Sequence, residues 1–192
     1  MNMNVTVFKY IFLFLLLSCI FNFKVVSQEN NYKHHFIGIL PSILAEPYDT
    51  LNAVELNILP IIYAYRIKEN FELQLRPIIN YRFYQTNSGI SQTGGTITAN
   101  RYFDNVWDKD FWLVPQLALF YTYTYNQLDK IQTMTLGIEP GVNMKLWDAF
   151  SMSLNIQPGI NYYPDAYSRE FTNTSNGFKF HFGLIFYFGY SF

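Results

Sequence analysis

The sequence predicts an all-β fold: a closed antiparallel up-and-down transmembrane β-barrel of about eight strands. Three observations lead there. The final stretch, Asn176 to Phe192, alternates without a break, with Phe178, Phe180, Phe182, Leu184, Phe186, Phe188, Tyr190 and Phe192 on one side. Lys179, His181, Gly183, Ile185, Tyr187, Gly189 and Ser191 lie on the other. A period of two means an extended strand with two unlike faces. Similar segments recur upstream, separated by turn-forming residues. Charged residues make up only 14% of the chain and aromatics 20%, against about 25% charged in ordinary soluble domains. A long row of exposed aromatics in water would invite aggregation, so the row asks for an apolar solvent.

The elements follow in order. Met1 to Lys9 is a short leader, and Tyr10 to Phe23 is almost wholly apolar. That run has the length of a secretory h-region and falls short of the roughly 20 apolar residues of a transmembrane helix. Val25-Val26-Ser27 suits signal peptidase, so residues 1–27 are expected to be a signal peptide cleaved before Gln28, with 28–192 forming one barrel domain. Cys19 is the only cysteine. Leu16-Leu17-Ser18-Cys19 resembles a lipoprotein cleavage box, while the bland reading is a cysteine in a discarded apolar core. With ordinary cleavage the mature chain has no thiol, which excludes disulfides and thiolate metal sites. Its formal net charge is then about −3, with no basic excess to suggest nucleic acid.

Strands are expected at His35–Ile43, Val54–Ile67, Phe71–Gln85, Phe111–Asn126, Gln132–Leu146, Ala149–Tyr163 and Gly177–Phe192. Thr96–Phe103 is a weaker eighth, supported by its position between two connections. Short acidic connections (Lys68-Glu69-Asn70, Asp104 to Asp110, Trp147-Asp148) alternate with polar ones, mostly longer (Ala45–Ala53, Thr86–Gly95, Gln127–Ile131, Pro164–Ser175). Short periplasmic turns and longer external loops would produce this asymmetry.

The faces divide by polarity. Phe71, Leu73, Leu75, Ile79, Tyr81 and Phe83 oppose Glu72, Gln74, Arg76, Asn80 and Arg82; Leu154, Ile156 and Ile160 oppose Ser153, Asn155 and Gln157. Charges are nearly absent from the apolar side, as expected where a cation at the bilayer midplane costs about 2–4 kcal/mol. Phe71 and Tyr81, ten residues apart, would mark an apolar band roughly 25 Å tall. Tyr121, Tyr123 and Tyr125 suit the outer rim, and Trp147, Phe150 and Phe192 the periplasmic one. The competing fold is a soluble lipocalin-type barrel with the same alternation turned inside out.

Pro41, Pro60, Pro77, Pro115, Pro140 and Pro158 fall within the expected strands. Proline removes a ladder donor and is tolerated at bulges, so a belt of bulges is expected there.

The candidate chemistry lies on the inward face. Glu55, Glu72, Arg76, Arg82, Glu139, Asn143, Lys145, Lys179 and His181 form the expected polar network of the lumen. An eight-stranded barrel is just wide enough for its side chains to fill, so these charges must pair. A plug of salt bridges is the structural reading, and a narrow solute or proton path gated by those pairs is the functional one. No catalytic residue, cofactor site or metal cluster is expected, since the chain lacks a phosphate loop and a nucleophile elbow. The loops Thr86–Gly95 and Pro164–Gly177 would carry any external binding, to a ligand they do not name.

The alternating aromatic strand ending on Phe192 resembles the closing strand of small outer-membrane β-barrels of Gram-negative bacteria, the OmpA/OmpX-like eight-stranded class. The resemblance implies an outer-membrane, cell-envelope location. It also implies partnership with outer-membrane lipid, and with the barrel-insertion machinery through that last strand. It points first to a non-enzymatic protein, envelope-structural or binding through its outer loops. A minor porin-like solute channel is the second reading and a lipid A-modifying enzyme the third.

Overall fold

The computed structural model describes residues 33–41, 43–48, 51–83, 88–103, 113–127, 130–147, 149–164 and 177–192, with the side chains of 43–48 and 51–55 left aside. The expected signal peptide with Cys19, and most of the loop Pro164–Gly177, lie outside the described residues.

Ten strands form: β1 (His35–Ile39), β2 (Ile43–Tyr48), β3 (Leu51–Asn57), β4 (Ile61–Lys68), β5 (Phe71–Phe83), β6 (Gly89–Tyr102), β7 (Leu113–Asn126), β8 (Ile131–Lys145), β9 (Phe150–Tyr162) and β10 (Phe178–Ser191). No helix occurs among the described residues. All ladders are antiparallel, β5 to β10 pair in sequence, and β1 joins β10 to β4, which returns to β5. The sheet is therefore a ring. β1 and β2 are two lengths of one stave, as are β3 and β4, so the ten strands make eight staves. On β5 the partner changes from β4 at Leu75↔Tyr63 to β3 at Asn80↔Asn57. The ring closes where Phe36–Ile39 pair with Phe188–Ser191. Phe192 and His35 exchange backbone hydrogen bonds of 2.8 and 3.0 Å there. That edge, with the connections at 69–70 and 146–149, is the turn end; the connections at 49–50, 127–130 and 163–177 mark the loop end.

Polarity is inverted relative to a water-soluble protein. Leu184 is 68% exposed and Ile156 43%, whereas Glu139 is 1% and Gln74 0% exposed. Leu75, Ile97, Leu117, Ile138, Leu154, Ile160, Phe180 and Phe182 continue the outer apolar wall. Thr98, Asn100, Asn155 and Ser153 are buried inside it. This excludes the lipocalin-type alternative, in which the same alternation would place the apolar set within.

Glycines set two close approaches. Gly38 faces Gly189 across the closing seam, and Gly137 faces Gly159 between β8 and β9. A Cβ on Gly38 or Gly189 would meet the Phe36 ring, and one on Gly137 would meet the Phe120 ring. Each ring therefore lies over backbone that a side chain would otherwise occupy, an arrangement that only glycine permits.

Several expectations are corrected. Ala45–Ala53, expected as a loop, belongs largely to the β2–β3 ladder. The weak strand Thr96–Phe103 is the far half of β6, which starts at Gly89 inside the expected loop Thr86–Gly95. Its Gly, Ser and Thr residues hide it, because its order comes from ladders on both sides. Val54–Ile67 is two strands split at Ile58–Pro60, and the face inverts across the split. Asn57 is buried before it; Ile62, Ala64 and Arg66 are buried after it. Phe71, expected on the outer wall, is buried at the turn end beside a register shift between Arg66 and Lys68.

The belt of bulges is not formed. The register shifts lie at Arg66/Lys68 and Asn80/Tyr81, away from proline. Pro41 and Pro60 fall between strands, while Pro115 and Pro140 stand in register with Val142 and Leu117. The β8–β9 ladder lapses between Gly137↔Gly159 and Gly141↔Asn155 and resumes in the same register. Proline removes a rung without inserting a residue, so a gap is enough to accommodate it.

Candidate functional site

The inward faces meet in one connected polar cluster that crosses the lumen. Arg76 on β5 reaches Glu139 on β8 through two parallel bonds, Nη1 to Oε2 and Nη2 to Oε1, each 2.8 Å. The forked geometry is the one guanidinium and carboxylate share. Glu139 also accepts from Asn155 Nδ2 at 2.7 Å and Gln157 Nε2 at 2.5 Å, both on β9. A carboxylate offers about four lone-pair sites, and all are occupied here.

A second carboxylate organises the turn-end side. Glu72 accepts from Arg66 Nη2 at 3.0 Å, Gln74 Nε2 at 2.6 Å and the Tyr102 hydroxyl at 2.7 Å. Gln74 links the two ion pairs: its Oε1 accepts from Arg76 Nε at 3.1 Å and its Nε2 also donates to the Tyr187 hydroxyl at 3.0 Å. Beyond Glu139 the chain continues through Gln116 Nε2 to Asn155 Oδ1 and Asn100 Nδ2 to Gln116 Oε1. The arginines also lie over rings, Arg66 5.5 Å from Tyr102 and Arg76 5.3 Å from Tyr187. Such cation–π contacts suit a weakly hydrated guanidinium away from water.

Alternation explains how one strand supplies so much. Glu72, Gln74 and Arg76 stand at successive inward positions of β5, so they stack along the lumen wall. The strand ladders then bring Glu139, Asn155 and Gln157 to face them. Two arginines against two glutamates make the cluster neutral, and both salt bridges are at most 5% exposed in their side chains.

Three expected residues, Glu72, Arg76 and Glu139, come together in this cluster. Asn143 lies apart, donating to Ser153 Oγ at 2.8 Å. Lys145 is half-buried at the turn end of β8, opposite Ser151. Arg82 stands opposite Glu55 in the β3–β5 ladder, and the Glu55 side chain is outside the described residues. Lys179 and His181 lie at the loop end, Lys179 5.7 Å from the Tyr163 ring and His181 5.9 Å from the Phe120 ring. Arg66, Tyr102 and Tyr187 are cluster members that the expected network lacked. Tyr187 was legible, since it shares parity with His181. Arg66 was not, because its inward position depends on the face inversion at Pro60.

No family model matches the chain, and no curated protein does. Among solved structures it is similar to the outer membrane protein OprG from Pseudomonas aeruginosa, at 14% identity over 86% of this chain and 99% of that one, with a TM-score of 0.43. The fold rests on the chain's own ladders and inverted polarity. It is a closed, eight-stave, antiparallel β-barrel.

Proposed function

We propose that this chain is an integral outer-membrane protein of the cell envelope whose barrel is a stoppered, non-enzymatic anchor for its loop end. The observation that carries the reading is the cross-lumen Arg76–Glu139 pair, buried to 2% and 1% side-chain exposure and saturated by Asn155 and Gln157. A pore needs mobile, hydrated groups along its axis, whereas these are fixed to one another. The apolar outer wall requires hydrocarbon as its solvent, which supports the membrane assignment. Both buried glutamates of the midsection are held in bonds from arginine, amide or tyrosine donors, which supports a mechanical role over a catalytic one. In this reading residues 1–27 direct export, and β10, ending at the seam with β1, is the strand presented to the insertion machinery.

The test is planar-bilayer recording together with gel mobility before and after heating. The expected result is a heat-modifiable species confined to the outer-membrane fraction and silent at all moderate voltages. Steady ion current from the unmodified protein would replace the anchor with the channel reading. Purified material that stays monodisperse without detergent would remove both.

A further inference from the structure

Above the plug, the loop-end half of the lumen has a different electrostatic character. Among residues with described side chains, the inward carboxylates are Glu72 and Glu139, and both are held by arginines. Arg82 faces Glu55 across the β3–β5 ladder. That leaves Lys179 and His181, two residues apart on the inward face of β10. Among the described residues neither side chain has a hydrogen-bond or ion-pair partner; Lys179 is exposed and His181 half-buried, and their contacts are the rings of Tyr163 and Phe120.

Their surroundings are rich in hydroxyls and amides. Lys179 begins a register row that runs through Asn161, Thr135, Thr122 and Thr96 to Arg76. The next row toward the turn end runs from His181 across Gly159 and Gly137 to Phe120, so no side chain stands between the two rings. One pleat further, Gly183 pairs with Gln157, whose amide donates to Glu139. The plug is thus the floor directly beneath His181. Two nitrogen bases over a neutral floor, with hydroxyls and amides beside them and no unpaired carboxylate among the described side chains, match a small negatively charged oxygen group.

We propose that the loop-end lumen holds a binding site for a small dissolved oxyanion, with Lys179 supplying the charge and His181 a hydrogen-bond donor. Entry is from the loop end, because the floor is closed. The site rests on the stoppered-barrel reading, and the two are tested separately, by conductance for the floor and by anion titration for the site.

The full-length protein in detergent micelles is titrated with inorganic phosphate at mildly acid pH while the histidine ring signals are followed by NMR. The chain has three histidines. His34 and His35 sit at the turn end and serve as internal controls. The expected result is a saturable shift of the His181 signals alone, weakened about tenfold or more by Lys179→Gln and restored by Lys179→Arg. Lys145→Gln, at the turn end, should leave the affinity unchanged. Absence of a saturable shift, equal shifts at all three histidines, or the same affinity after Lys179→Gln would each overturn the proposal. Folding of each variant is checked by heat-modifiable mobility, and His181→Gln, read by calorimetry, provides an independent second loss.

Discussion

Replacing Glu139 by glutamine removes one negative charge while nearly preserving shape, and it isolates the energetics of the plug. In the native barrel the Arg76 guanidinium is 2% exposed and takes both oxygens of Glu139 at 2.8 Å. After the change the guanidinium keeps Gln74 and the Tyr187 ring, but it has no counter-charge. Breaking one side of a buried ion pair costs about 3–5 kcal/mol, because the remaining charge stays desolvated. A glutamine amide also turns donors toward Arg76, Asn155 or Gln157, which all donate at this site. The expected loss for Glu139→Gln is therefore about 3–5 kcal/mol. Changing Arg76→Met as well removes the stranded charge, so the double variant should lose less than the sum, with a coupling of at least about 2 kcal/mol. The assay is reversible urea unfolding in phospholipid vesicles, followed by tryptophan fluorescence. A single-variant loss below about 1 kcal/mol, or additive losses in the pair, would mean that the charges are hydrated and the plug is not dry.

Other outcomes follow from the same geometry. Ile156→Lys places a cation on the outer wall and should cost about 2–4 kcal/mol of folding free energy in vesicles if it lies near the bilayer midplane; an unchanged midpoint would mean that this wall does not face lipid. Tyr102→Phe deletes the hydroxyl that donates to Glu72 at 2.7 Å, and a loss of about 1.5–3 kcal/mol is expected in the same unfolding assay. Gly189→Val forces a side chain against the Ile37 carbonyl and the Phe36 ring at the seam. It should cost at least about 1–3 kcal/mol and reduce the heat-modifiable fraction on gels. Removing both Arg76 and Glu139 side chains to alanine should open a small, steady conductance in planar bilayers, whereas the parent stays silent.

Much of the architecture was legible because a strand's two faces are a local property. Phe178 to Phe192 declares its sides by parity alone, and from Phe180 to Ser191 β10 alternates as that pattern requires. Glu72, Gln74 and Arg76 likewise declared an inward column on β5. β6 was nearly invisible, since Gly89 to Thr96 carries few bulky groups and gains its order from β5 and β7. Arg66 was missed for a different reason. A break of three residues at Ile58–Pro60 inverts parity, and no local pattern announces that inversion.

What the sequence determined by itself is the set of unlike faces and the presence of both signs of charge on the inward ones. These are one-dimensional properties: spacing, composition and sign. The tertiary structure alone decided which charges meet and which are left over. Arg76 and Glu139 lie 63 residues apart in sequence and meet across the lumen only because the eight staves close with one particular stagger. Stagger is a sum of registers around the whole ring, and no single strand encodes it.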